Sequence, residues 1–178
     1  MKIENSERLC FHLMTAADAE LLYQLDQDSE VMRFINGGVT TSHDDLIEIY
    51  IPRMESYTNL EKGWGIWKVL LKDSDEFIGW VLVRPMNFFD DNPEYDNLEL
   101  GWRFFRDSWG KGYATESAKA IIQALIATGD NNKLCAIAVG ENTASIKIMR
   151  KIGMNYIKTY FHEDPLFSSE VVYYELEV

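Results

Sequence analysis

The chain has 178 residues, 47% of them hydrophobic and 13% aromatic, and a formal net charge of −12. That length suits one domain with a substantial core and is short for two, and the hydrophobic content excludes a disordered polymer. The charge argues against nucleic acid as a partner, because phosphate backbones are bound by basic surfaces; it suits a cationic partner, or serves solubility alone.

In chain order, the opening Met1-Lys2-Ile3-Glu4-Asn5-Ser6-Glu7 lacks the apolar segment of a signal peptide. No apolar run approaches the ~18 residues that span a bilayer, so a cytoplasmic protein without a membrane partner is expected. Arg8 to Met14 is predicted as a first strand. Thr15-Ala16-Ala17-Asp18 resembles a helix start, and Leu21, Leu22 and Leu25 give one apolar face to about Asp28. Asn36-Gly37-Gly38 is a turn. Thr41 or Ser42 can cap a second helix, which Pro52 should end or kink. Residues 65–72 and 77–84 read as an antiparallel hairpin covered on both faces. Residues 87–97 read as a loop, and Leu98 to Phe105 as a strand. A helical stripe from Ala114 through Ala118, Ile121, Ile122 and Leu125 stops at Gly129. Lys133 to Val139 is a strand, Asn142 begins a short helix with Gly153 past its end, and residues 156–161 and 170–177 close as a strand pair. The whole predicts an α/β protein of the α+β type: a mixed, mostly antiparallel sheet of about seven strands with about four helices in one domain, residues 1–178.

Cys10 and Cys135 are expected as two buried thiols in a reducing compartment. Cys10 and His12 share one side of a strand, half a metal site with nothing to complete it, and no metal is expected.

The informative stretch is Trp109-Gly110-Lys111-Gly112-Tyr113-Ala114-Thr115-Glu116, between a strand and a helix. Two glycines let the main chain curl tightly, and the helix start adds unpaired N–H donors and the positive end of its dipole. Such a turn holds a phosphate or pyrophosphate; as a bland alternative it is only a tight connection. No Walker P-loop is present. A dinucleotide fingerprint is a rival, but Thr115 stands at its third glycine and the next strand-end acid, Glu141, falls too far on. In the second stretch, Ser145, Ile148, Met149 and Ile152 share one helical face, which points Ser145 inward. Capping alone accounts for Asn142, and a bond to the preceding turn for Ser145.

Together, Glu99-x-Gly101-Trp102, the Trp109–Glu116 turn, and Asn142-x-x-Ser145 followed by Lys151-x-Gly153-Met154 resemble the GNAT superfamily of acetyl-CoA-dependent N-acetyltransferases. The likeness is greatest to the branch that acetylates ribosomal-protein N-termini, and it runs from about Arg8 to Glu177. The resemblance implies the acyl-CoA N-acyltransferase fold, acetyl-CoA as cosubstrate and an amine acceptor: a basic protein N-terminus, otherwise a small amine or polyamine. It also admits a homodimer. It implies that Trp109, Gly110, Lys111, Gly112, Tyr113, Ala114 and Thr115 bind the cofactor's pyrophosphate, with Asn142 as a further cofactor contact. Trp109 departs from the family's usual Gln/Arg, and Met149 stands where many relatives carry a proton-donating tyrosine; Ser145 fits that role in the resembling branch.

Glu99, on the strand before the turn, is the candidate general base, directly or through a water; the alternatives are a solvent-facing acid or a partner of Arg103. Backbone N–H groups of Leu100–Trp102 could polarise the thioester carbonyl, with Gly101 permitting close approach. The acceptor is expected to lie against Asn36–Thr40 and the Phe88–Tyr95 loop, where Asp90, Asp91 and Glu94 attract a cation and Phe88 or Phe89 adds a π face. A non-catalytic acyl-CoA-binding module is the reading from a different class.

Overall fold

The computed structural model describes residues 1–129 and 132–178. Strand β1 (Leu9–Leu13) leads into a capping box, in which Thr15 Oγ1 accepts from the Ala17 N–H and Asp18 accepts from the Thr15 N–H. A 3-10 turn follows, then α1 (Ala19–Leu25). This helix ends short of the expected Asp28, because Asp28 starts another: its carboxylate accepts from the Glu30 N–H at 2.9 Å and opens α2 (Ser29–Asn36). α2 is the element the sequence reading lacks, and it raises the helix count from about four to five. It buries Val31 and Met32 and ends at Gly37.

Ser42, one of the two predicted caps, accepts from the Asp45 N–H and begins α3, whose segments His43–Asp45, Leu46–Tyr50 and Ile51–Tyr57 run on without a break. Pro52 does not end it. The turn before it widens to a π pattern, closed by the Ile51 N–H on the Leu46 carbonyl. The proline thereby sits within the first turn of the last segment, where its missing N–H needs no partner.

The remaining elements are β2 (Gly65–Leu71), β3 (Phe77–Met86), β4 (Glu94–Phe104), α4 (Tyr113–Thr128), β5 (Lys133–Val139), α5 (Thr143–Lys151), β6 (Asn155–Asp164) and β7 (Phe167–Glu177). β4 starts earlier than expected, pairing Glu94 with Met86, so the loop shortens to residues 87–93. The seven strands form one sheet in the order β1-β2-β3-β4-β5-β7-β6. Every neighbouring pair is antiparallel except β4–β5, which α4 joins by a crossover.

The two faces of the sheet carry separate cores. On one, Ala118, Ile121, Ile122 and Leu125 of α4 and Met149 of α5 pack against Val81, Val83, Leu98 and Leu100. On the other, α1, α2 and α3 set Leu22, Val31, Leu46 and Met54 against Ile66 and Trp80. Phe88 and Phe89 join this second core edge-on to Tyr57. Both cysteines are free thiols; Cys10 is half-buried rather than buried, while burial pushes the Cys135 thiol well up. Among the described residues no three His, Cys, Asp or Glu side chains gather around one point, and no helix is long and apolar enough to cross a membrane.

β4 and β5 pair only from Asn97 to Glu99 against Lys133 to Cys135. β4 continues to Phe104 and β5 to Val139, so beyond Glu99 the two strands diverge and the sheet opens between them.

Candidate active site

Alternation along β4 turns Glu99, Gly101 and Arg103 to the α1–α3 face and Leu98, Leu100 and Trp102 to the α4–α5 face. Across the antiparallel register the first set meets Arg84, Leu82 and Trp80. A cavity of about 300 Å³ lies over these rungs and reaches through the opening to Ala138, Asn142 and Ser145.

Glu99 is buried, 7% exposed, rather than solvent-facing. Its partner is Arg84, not Arg103: Arg84 Nε–H donates to Glu99 Oε2 at 2.7 Å, while Arg103 bonds Asp26. Burial works against the Arg84 guanidinium, but Glu99 outweighs it and holds the pKa of Arg84 raised. Glu99 Oε1 has no hydrogen bond among the described residues.

Asn142 caps α5, its Oδ1 accepting from the Ser145 N–H at 3.1 Å. Capping therefore accounts for this side chain as the residue type suggested. Ser145 is half-buried and does not bond back to its own helix. Its Oγ accepts from Trp102 Nε1–H at 3.2 Å, across the opening. An indole can only donate, so the serine hydrogen stays free, and accepting one hydrogen bond makes an O–H a better donor of the next. Met149, at the position of the absent tyrosine, is fully buried.

The glycine turn lies beyond the end of β4, after a 3-10 turn at Arg106–Ser108, and does not line the cavity. Gly110 and Gly112 have φ of +73° and +84°, the left-handed region that favours glycine, and Gly112 is the N-cap of the 16-residue α4. Backbone N–H groups of residues 110–115 have no hydrogen-bond partner among the described residues; the first N–H to find one is that of Glu116, on the Gly112 carbonyl. Trp109 is about half exposed, and its Nε1–H is spent on the Phe104 carbonyl at 2.8 Å. Lys111 is exposed, and Ala114 and Thr115 are half-buried.

The turn is braced from the far end of the chain. Glu116 accepts from the Ser6 hydroxyl, the Arg8 N–H and the Arg8 Nε–H at 2.7–2.9 Å. Arg8 also donates to the Lys111 carbonyl and lies 4.5 Å over the Tyr113 ring. Burial resists ionisation of Glu116, but the Arg8 N–H, the Ser6 hydroxyl and the Arg8 guanidinium prevail and its pKa is lowered.

Of the segments expected to face the acceptor, only Asn36 lines the cavity. Phe89 lies under Arg53, 3.5 Å from the guanidinium carbon to the ring centroid. Glu94 bonds Asn87 and Asn97. Neither Phe89 nor Glu94 lines the cavity. The sequence reading missed Arg84, Trp80 and the Arg8–Glu116 brace. For the first two a signal was present: β3 sets Trp80 and Arg84, and β4 sets Glu99 and Arg103, at even spacing within otherwise apolar runs.

A family model described as an acetyltransferase (GNAT) domain matches residues 8–155. The chain is 30% identical over 151 residues to YnaD, an uncharacterized N-acetyltransferase of Bacillus subtilis (strain 168), covering 84% of this chain and 80% of that one. Among solved structures, a GNAT-family acetyltransferase from Bacillus anthracis superposes with a TM-score of 0.76 at 25% identity, over 99% of this chain and 98% of that one. RimL, a ribosomal L7/L12 alpha-N-protein acetyltransferase in complex with coenzyme A, gives a TM-score of 0.76 at 14% identity over 100% and 98% of the two chains, a likeness of fold.

Proposed function

Because the chain belongs to the GNAT family of acetyltransferases and is an acetyl-CoA-dependent N-acetyltransferase, we propose that its acceptor is the N-terminal α-amino group of a protein or peptide. The observation that carries this reading is the opening of the sheet beyond the Glu99–Cys135 pair. There, one cavity has Glu99 on one face of the sheet and Ser145 on the other.

Acetyl-CoA supplies an activated acyl group and a sulfur leaving group. The run of unpartnered N–H donors at residues 110–115, opening a 16-residue helix, fits its diphosphate. Strand residues turn N–H and C=O alternately to either neighbour. Beyond Glu99, those of β4 that turn towards β5 have no strand partner, and they are the donors that polarise the thioester carbonyl. An α-ammonium, with pKa near ~8, must lose a proton before it attacks. Glu99 Oε1 takes that proton, directly or through a water, while Arg84 fixes the other oxygen. Ser145, oriented by Trp102, gives its hydrogen to the departing sulfur and is restored by the proton the new amide nitrogen sheds. Holding amine and thioester in line supplies much of the remaining acceleration.

The test is thiol release from acetyl-CoA with peptides whose N-termini are free or blocked, followed by mass spectrometry. The expected product gains ~42 Da, the transferred acetyl group, on its first residue. Acetylation confined to lysine side chains or to a polyamine would overturn the acceptor assignment.

A further inference from the structure

Two buried donors are left over on residues that line the cavity. Trp80 and Arg103 face each other across β3 and β4, with the guanidinium carbon 4.9 Å from the indole centroid. Among the described residues neither Trp80 Nε1–H nor Arg103 Nε–H has a hydrogen-bond partner. Nη1 of that guanidinium bonds Asp26, whose other oxygen takes the Thr41 hydroxyl at 2.8 Å. Buried donors without an acceptor are rare and costly in folded proteins. Two of them side by side, on residues lining one cavity, mark the place of an acceptor atom the chain does not supply.

The chemistry of that atom follows from the donors. An indole N–H and a guanidinium N–H only donate. A protonated amine has no lone pair to offer them, whereas a carbonyl or hydroxyl oxygen does. Charge points the same way. The cavity is lined by Arg53, Arg84 and Arg103 against Asp164, Glu99 and Asp26, each arginine paired with one carboxylate. Although the chain carries −12 overall, this lining holds no surplus carboxylate for a polycation.

Spacing sets the shape of the ligand. Arg103 lies four residues along β4 from Glu99, about 13 Å at strand rise. Between them Gly101 faces Leu82 and adds no side chain, so the floor stays open. An extended peptide covers that span in about four residues.

Resting on the acetyl-transfer reading above, we propose that Trp80 and Arg103 form a subsite selecting acceptors with a hydrogen-bond-accepting oxygen about 13 Å from the reacting amine. The oxygen is a peptide carbonyl or a sugar hydroxyl; oxygen-free polyamines are passed over.

The experiment compares kcat and KM by thiol release for tetra-alanine amide, an aminated trisaccharide, spermidine and n-butylamine, the last too short to reach the subsite. Trp80→Phe keeps a ring and removes the N–H; Arg103→Lys keeps the charge beside Asp26 and removes Nε–H, and serves if the first variant fails to fold. Each variant should raise KM about tenfold for the peptide or the trisaccharide, whichever the enzyme uses, and leave n-butylamine unchanged. Equal losses on n-butylamine, or spermidine turned over by the unaltered enzyme as well as the oxygen-bearing probes, would overturn the subsite. Calorimetry of tetra-alanine amide and the trisaccharide with the CoA-loaded protein separates the two readings. Binding weakened by Trp80→Phe without thiol release from any amine would keep the subsite and sink the transfer. Release without weakened binding would do the reverse.

Discussion

At the scale of single residues, the site is a set of side chains each held by one specific neighbour. Ser145 is aimed by the Trp102 N–H, and Glu99 is anchored through one oxygen by Arg84. Ser145→Ala should therefore lower kcat about tenfold or more while the KM for acetyl-CoA holds, because in the proposed mechanism the hydroxyl acts only as the sulfur leaves. Glu99→Gln should lower kcat at least as much. It should also cost about 2 kcal/mol, seen as a Tm loss of roughly 4–8 °C for a chain this size, since a buried guanidinium loses its counter-charge. Gly112→Ala forces a side chain into φ of +84° at about 1–2 kcal/mol. As this glycine shapes the donor run, the KM for acetyl-CoA should rise more than kcat falls; equal changes would place the damage in folding alone. These roles were unequally readable in advance. The two glycines and Asn142 announce themselves locally, because left-handed φ and helix capping are properties of a few consecutive residues. Arg84 as the partner of Glu99 is a matter of strand register, set by a bulge at Pro85–Met86 and invisible until the strands are aligned.

At the scale of elements, the same division holds. Helices with a strong apolar stripe and a glycine stop, such as α4, were legible to within a residue or two. Helix α2 was not. It has eight residues, too few for periodicity to stand out, and its start is an aspartate that reads equally well as the tail of the preceding helix. The tie from Arg8, just ahead of β1, to α4 was also hidden, since it joins residues 108 apart in the chain. That tie has a pH signature. The Glu116 pKa is lowered from its ordinary value of 4.5. Its stabilisation is thus fully present above about pH 4.5 and is lost as pH falls through the lower folded value. Melting curves of the unaltered protein and Glu116→Gln should differ by a constant margin between about pH 5 and 7, and converge in more acid solution. A margin that persisted under acid would show that the bond does not depend on the carboxylate charge.

At the scale of the whole molecule, the excess of acid lies outside the cavity, whose lining is charge-balanced. It acts on approaching partners through long-range attraction, which salt screens over about 8 Å at physiological strength and 30 Å at 0.01 M. The kcat/KM for a lysine-rich peptide should fall several-fold between those salt levels, while that for an uncharged peptide stays level; equal responses would remove the surface field from acceptor capture. The brace at Glu116 reaches further still. The chain's earliest residues brace a glycine turn encoded in its second half, so the brace closes only when the two distant stretches have met. Contacts of such separation close late and slowly. During synthesis, affinity for the acyl donor would then emerge near the end of maturation, and recovery of that affinity after denaturant dilution would clock the docking of the N-terminal strand.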